Sequence, residues 1–93
     1  MSADVLFQEH LSALFPAALR GQEPAGVDLV LLDVSIAGCV SVWQNNGGSL
    51  DAGRLRMLRA CLTDLDRALP LLTDAEGIRY FERLRRLAVT ASA

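Results

Sequence analysis

The sequence has no lysine, so all nine basic side chains are arginine, and it has one histidine and two cysteines. With eleven acidic residues the formal net charge is −2, which argues against a domain that binds a nucleic-acid backbone. Two cysteines without a CxxC spacing indicate neither a disulfide framework nor a zinc knuckle. We therefore expect no nucleic-acid partner, no metal, no cofactor and a reducing, cytoplasmic setting.

Long apolar runs are also missing. The most apolar stretch, residues 27–43, is 17 residues long and includes Asp28 and Asp33, whereas a membrane-spanning helix needs about 20 apolar residues. The first ten residues carry Asp4 and Glu9 and no basic residue, unlike the positively charged start of a secretory leader. The sequence therefore predicts neither a leader nor membrane association.

Aromatic residues are scarce, at 5%, although 52% of the chain is hydrophobic. Aliphatic side chains are therefore expected to fill the core. A chain of 93 residues is long enough for one domain, which we place at residues 1–93. Small domains have a large surface for their volume, so this apolar content exceeds what one small core requires. The excess predicts a surface that a second chain covers.

Leucines in the third quarter of the chain recur at spacings of three and four residues, which is typical of an amphipathic α-helix. These residues are Leu55, Leu58, Leu62, Leu65, Leu69 and Leu72. The same periodicity elsewhere predicts helices at about 3–19, 24–45, 52–69 and 74–90. Four such helices joined by short turns predict an all-α fold, an antiparallel four-helix bundle.

Polar residues and prolines mark the expected helix ends. Asp51 is placed to cap the third helix, and Thr73 with Glu76 forms a capping-box pattern before the fourth. Pro24 suits the first position of the second helix. Pro16 is expected to kink the first helix near its end or to force a tight final turn before Gly21.

Residues 27–44 allow a second interpretation. This segment is rich in valine, and Val34, Ile36, Val40 and Val42 partly alternate with smaller or polar residues, a pattern that favours strands. A hairpin at 27–44 would make the fold α+β. The helical interpretation is preferred because one helical face would be filled with large apolar residues and flanked by prolines and glycines.

The second helix is predicted to be apolar on nearly its whole circumference, and a helix of that kind is buried on all sides. A single small bundle buries one side only, so the sequence predicts a homodimer with this helix at the interface. A strip on the fourth helix is added to the interface candidates. Together they are Val27, Val30, Leu31, Val34, Val42, Ile78, Arg85 and Val89.

Residues with possible chemistry are few. Pocket candidates between the helices are His10, Asp33, Trp43 and Tyr80, and Asp33 is expected to pair with Arg59 or Arg85 across the bundle. Candidates for contact with an anionic partner are Arg79, Arg83 and Arg86, which form one stripe on the fourth helix. No nucleophile is matched to His10, so no catalytic residue is assigned.

These observations predict a non-enzymatic, cytoplasmic helical bundle. It would act through protein–protein contact, in a regulatory, adaptor or immunity-type role, with itself and an unidentified protein as partners. The alternative hypothesis is a small-molecule-binding bundle or minor enzyme with a pocket between its helices. The filling of the bundle interior discriminates between the two hypotheses.

Overall fold

Aspartate side chains begin three of the four helices. Asp28, Asp51 and Asp74 each accept a hydrogen bond from the backbone amide three residues later, at 2.8–3.1 Å. A carboxylate satisfies the free amides and the partial positive charge at a helix start. The predicted Asp51 cap is confirmed. The predicted Thr73 cap is wrong, because the neighbouring carboxylate of Asp74 takes that position.

The computed structural model describes residues 3–93. Its helices are α1 (Ala3–Ser12), α2 (Leu29–Asn45), α3 (Ala52–Ala68) and α4 (Ala75–Ser92), with 3₁₀ turns at Ala17–Leu19, Pro24–Gly26 and Leu69–Leu71. The fold is 78% helical, without a strand in residues 3–93. The predicted all-α four-helix bundle is therefore confirmed, and the alternative hairpin at 27–44 is wrong.

The first helix is shorter than the predicted 3–19, since α1 ends at Ser12. Pro16 explains this end, because a proline lacks an amide hydrogen and disfavours the helical conformation at the preceding residue, Phe15. The Ser12 hydroxyl donates instead to the Gln8 carbonyl at 2.7 Å. Proline therefore ends the helix early, and the 3₁₀ turn at Ala17–Leu19 matches the predicted tight turn before Gly21, whereas the alternative of a kink within a longer helix is wrong.

The second helix begins at Leu29, whereas the sequence predicted residue 24. Pro24 opens a 3₁₀ turn in which Ala25 and Gly26 have φ angles of 55° and 75°. These left-handed conformations cannot continue into a right-handed helix. The turn ends at Val27, and the Asp28 cap starts α2 one residue later.

Helix α4 contacts each of the other three helices, and α1 runs antiparallel to α2. Gln44 near the end of α2 donates to Asp4 near the start of α1 at 2.8 Å, while His10 contacts Asp33 closer to the other end of the pair. This crossed order shows that α1 and α2 point in opposite directions.

The core follows the predicted periodicity of the leucines. Leu58, Leu65 and Leu72 are buried, and Leu62 and Leu69 pack partly buried against the same cluster. The largest fully buried side chains are Phe81, Leu29, Ile36, Leu58, Leu65, Leu84, Leu87 and Val40. None of the helices within residues 3–93 is both long and apolar enough to cross a membrane.

Candidate functional site

A buried polar cluster of His10, Asp33 and Tyr80 joins α1, α2 and α4. The His10 Nε2 atom lies 2.7 Å from Asp33 Oδ1, and the Tyr80 hydroxyl donates to Asp33 Oδ2 at 2.6 Å. His10 is 5% exposed and Tyr80 is 6% exposed. Each oxygen of the carboxylate thus has its own donor, as a buried acid requires. We call these three residues the polar cluster.

The cluster residues sit at helical positions that face the core. His10 lies one turn after the buried residues Leu6 and Phe7, and Asp33 lies one turn after the buried Leu29. Side chains one turn apart share a helix face, so each polar group points toward the other helices. The sequence singled out all three residues but assigned Asp33 to Arg59 or Arg85, and that pairing is wrong.

The reactivity of the cluster is limited by its burial. A general acid or base needs a substrate atom at about 3 Å, but the His10 side chain is buried and Tyr80 reaches the edge of a surface cleft with only 6% of its surface exposed. The second ring nitrogen of His10, Nδ1, is buried without a hydrogen-bond partner. The geometry therefore favours a structural role, in which the hydrogen bonds of the cluster join helices, over a catalytic role.

The polar cluster and the cysteines give the protein an alkaline sensitivity. Burial, followed by the hydrogen bond and charge of Asp33, raises the pKa of Tyr80 well above its ordinary value. Burial likewise raises the pKa of Cys39 and of Cys61. A group whose pKa is higher in the folded state stabilises the fold fully below its unfolded pKa and loses that contribution as the pH rises.

We therefore expect stability to fall as the pH rises above about 9, where unfolded thiols and then tyrosine begin to ionise. Urea unfolding at increasing pH measures this fall, and the sequence has no lysine to complicate it. Tyr80→Phe should remove the part of this loss of stability that begins near pH 10. Since Tyr80 is the only tyrosine, its ultraviolet titration gives a second readout. An ordinary tyrosine midpoint in the folded protein contradicts the buried hydrogen bond.

Trp43, the fourth pocket candidate, is not part of the polar cluster. It lies near the end of α2, where its ring faces the turn at Gly48. Ten residues separate it from Asp33 along the helix, which corresponds to about 15 Å. The structure thus brings three of the four predicted pocket residues together and leaves Trp43 apart.

Two shallow clefts of 260 and 350 Å³ lie between α4 and the α1 region, and both are lined by Arg79 and Arg83. The Arg83 guanidinium lies 5.6 Å from the centre of the Tyr80 ring, and its Nε atom is buried without a partner. Arg86 lines the smaller cleft only. Glutamates Glu9, Glu76 and Glu82 line the same clefts. Each cleft therefore has one more arginine than glutamate in its lining, which leaves a small positive charge with acids interspersed.

Neither cysteine forms a disulfide, and both are buried. The Cys39 sulfur lies 3.9 Å from the Met57 sulfur, a packing contact typical of a small apolar side chain. Within residues 3–93, no group of three or more histidine, cysteine, aspartate or glutamate side chains could hold a metal ion.

The interface candidates on α4 differ in their surroundings. Ile78 packs partly buried against the core, whereas Val89 is exposed. The Arg85 Nε atom donates to Asp66 of α3 at 2.7 Å, and this hydrogen bond raises the pKa of the guanidinium. Arg85 therefore connects two helices of one chain, so these three residues do not form a uniform apolar strip.

The side of α2 opposite the core is exposed and uncharged. Val30, Leu31 and Val34 are 42%, 63% and 64% exposed. We call this side the outer face of α2; it comprises Val30, Leu31, Val34, Ala37, Gly38, Ser41, Val42 and Asn45. Of the α2 candidates, Val42 is only partly buried, but Val27 is buried in the core. Its assignment to the interface is wrong because it precedes the helix, in the turn that folds back on the bundle.

Apolar residues from the flanking helices extend this surface. Met57 of α3 is half exposed and reaches α2 through its contact with Cys39. Leu11 of α1 is 59% exposed and lies two turns after Asp4, the residue that bonds to α2. Residues two turns apart share a side of a helix, so Leu11 lies on the side of α1 next to α2. The uncharged surface therefore spans parts of three helices.

Comparisons of the chain with protein-family models, with curated proteins and with solved structures each find no match.

Proposed function

We propose that the protein acts through protein–protein contact, as a homodimer in which the outer face of α2 is covered. The exposure of Val30, Leu31 and Val34 side by side on an uncharged helix face supports this proposal. Contiguous apolar surface of this kind marks interaction sites in soluble proteins. A regulatory, adaptor or immunity-type role requires such a surface and needs no reaction centre.

The polar cluster supports a non-enzymatic role. Its histidine and tyrosine are buried and each contacts one oxygen of the Asp33 carboxylate, so the groups best suited to acid–base chemistry already serve to join helices. The apolar face, by contrast, has no such use within the single chain. Completing the burial of its three large side chains would contribute about 3 kcal/mol to association.

Val34→Glu is expected to convert the dimer to a monomer without unfolding it. The side chain is 64% exposed, so the single chain tolerates a carboxylate there, whereas a dimer would bury one from each copy without a partner. Sedimentation velocity at micromolar concentrations measures the dimer, and circular dichroism measures the helix content.

Leu71→Glu is the matched control, because Leu71 is 57% exposed in the turn between α3 and α4. It adds the same charge away from the outer face of α2, so its dimer should persist. A wild-type protein that sediments as a monomer throughout this range contradicts the homodimer. Unfolding of Val34→Glu would instead place this residue in the core of the single chain.

Small-molecule binding is the second candidate. The 350 Å³ cleft beside Tyr80 has an apolar side, from Ala13, Leu14 and Pro16, and two arginines. Its volume lies at the lower end of ligand pockets. A ligand retained in native mass spectra of the wild type and lost in Arg83→Gln would favour this function over protein contact.

A further inference from the structure

The outer face of α2 changes in size along the helix. Its first half carries the large side chains Val30, Leu31 and Val34, while the next turns carry Ala37, Gly38 and Ser41. The first half therefore projects from the bundle and the second half is recessed. One face holds both a ridge and a groove, which is the condition for self-complementary packing.

Gly38 forms the deepest part of this groove. It is exposed in the middle of α2, and a Cβ atom added there would meet no other atom within 4 Å. Its backbone is not among the positive-φ glycines, so neither conformation nor space within the chain requires glycine. Glycine at an exposed helix interior lowers helix stability, and a close approach by another backbone is the remaining reason for its presence.

We infer that a second copy of this chain packs its α2 antiparallel against the outer face of α2, with Val34 of each copy seated on the partner's Gly38. In this register Leu31 faces the partner's Ser41, and Val30 faces the partner's Val42. The contacts of Val34 and Leu31 each join a large residue to a small one, and the contact between Val30 and Val42 closes each end of the interface. The inference rests on the proposed homodimer and adds its direction and register.

The charge distribution favours this direction. Asp28 is exposed at the start of α2, and no charged residue follows on its outer face. A parallel pair would bring the two Asp28 carboxylates together, whereas an antiparallel pair separates them by the length of the helix, about 25 Å. Antiparallel packing also sets the positive start of each helix dipole beside the negative end of the other.

The available area is smaller than that of a standard interface and therefore sets the expected strength of the dimer. A standard interface buries about 800 Å² per partner, and the whole chain exposes 5294 Å². With the flanks that carry Leu11 and Met57, the outer face of α2 is about 25 Å long and 20 Å wide, or on the order of 500 Å² in projection. Side-chain relief increases the accessible area above this projection. We therefore expect a reversible dimer with micromolar dissociation.

Cross-linking tests the register. Val34→Cys and Gly38→Cys proteins, one of them isotopically labelled, are mixed under mild oxidation, and mass spectrometry measures the mixed disulfide dimer. We expect this dimer to exceed both self-paired products several-fold, because only the 34–38 pair is adjacent in the inferred register. Leu31→Cys alone should cross-link poorly, whereas a parallel pair would join it to its own copy. Wild-type protein shows the background from the buried native cysteines.

Gly38→Leu gives a second readout with two effects of opposite sign. Leucine is a better helix former than glycine, and its Cβ atom has free space at this exposed position in the single chain, so the thermal midpoint of dilute monomer should rise. Filling the groove should weaken the dimer at least tenfold in sedimentation. Two outcomes would overturn the antiparallel register while the proposed homodimer stands. One is a dimer that Val34→Glu disrupts but Gly38→Leu leaves intact, and the other is a disulfide between the two Leu31→Cys positions. A wild-type monomer overturns both.

Discussion

Asp33→Ala is expected to lower the free energy of unfolding by about 2–4 kcal/mol. The substitution removes the close acceptor of both His10 and Tyr80, whose side chains are buried and are left only with their mutual contact at 3.5 Å. Two donors left without acceptors account for most of this loss. Urea unfolding at neutral pH, followed by the fluorescence of Trp43, measures the change.

A double-mutant cycle isolates the hydrogen bond within this loss. Tyr80→Phe removes only the hydroxyl and should cost about 1 kcal/mol in the wild type. In the Asp33→Ala background the same substitution should cost little, because the hydroxyl has already lost its acceptor. Strict additivity of the two losses would show that the bond contributes nothing. Asp64→Ala, at a half-exposed position inside α3 and outside both the polar cluster and the outer face of α2, controls for helix propensity.

The polar cluster and the outer face of α2 are geometrically linked. Successive residues of a helix are rotated by about 100°. Because Asp33 is held toward α1 and α4, Val34 turns outward and is exposed. The buried contacts thus set the rotation of α2 about its own axis. Through that rotation, they determine which apolar residues reach the surface.

Hydrophobic periodicity predicted the helices but not their precise ends. The bounds of α3 came within a residue because Asp51 and Pro70 mark both ends. The first helix was predicted too long because alanine and leucine near Pro16 continue the apolar pattern after the backbone has left the helix, and the second because Pro24 opens a 3₁₀ turn where a first helical residue was expected. Ala25, with its positive φ, gave no sign at all, since alanine ordinarily favours helix.

The polar cluster shows a second limit of what hydrophobic periodicity can predict. Periodicity indicates which face of a helix a residue occupies, and it placed His10 and Asp33 near core faces. It does not indicate which two faces meet, so Asp33 was assigned to an arginine while its partners were a histidine and a tyrosine. The signal that would have identified them was the histidine itself, one turn after Leu6 and Phe7 on the buried side of α1.

Phe81→Ala is expected to lower the free energy of unfolding by about 3–5 kcal/mol, which is typical of a fully buried aromatic residue. Phe81 has no exposed surface, and its ring meets those of Tyr80 and Phe15 edge to face at 5.2 and 6.0 Å. Phe15 lies in the irregular segment after α1, so the cavity would also loosen the anchorage of that segment. A domain of this size is stable by about 5–14 kcal/mol, so the variant would stay folded with little margin.

Urea unfolding of Phe81→Ala beside Phe81→Leu separates the cavity from the aromatic contacts. Leucine preserves most of the volume and should lose less than about 1.5 kcal/mol, so the difference between the variants measures the unfilled space. Proteolysis within residues 13–28 should accelerate in the alanine variant before global unfolding, because that segment depends on the Phe15 contact. A loss below about 1 kcal/mol for alanine would contradict a ring packed without exposed surface.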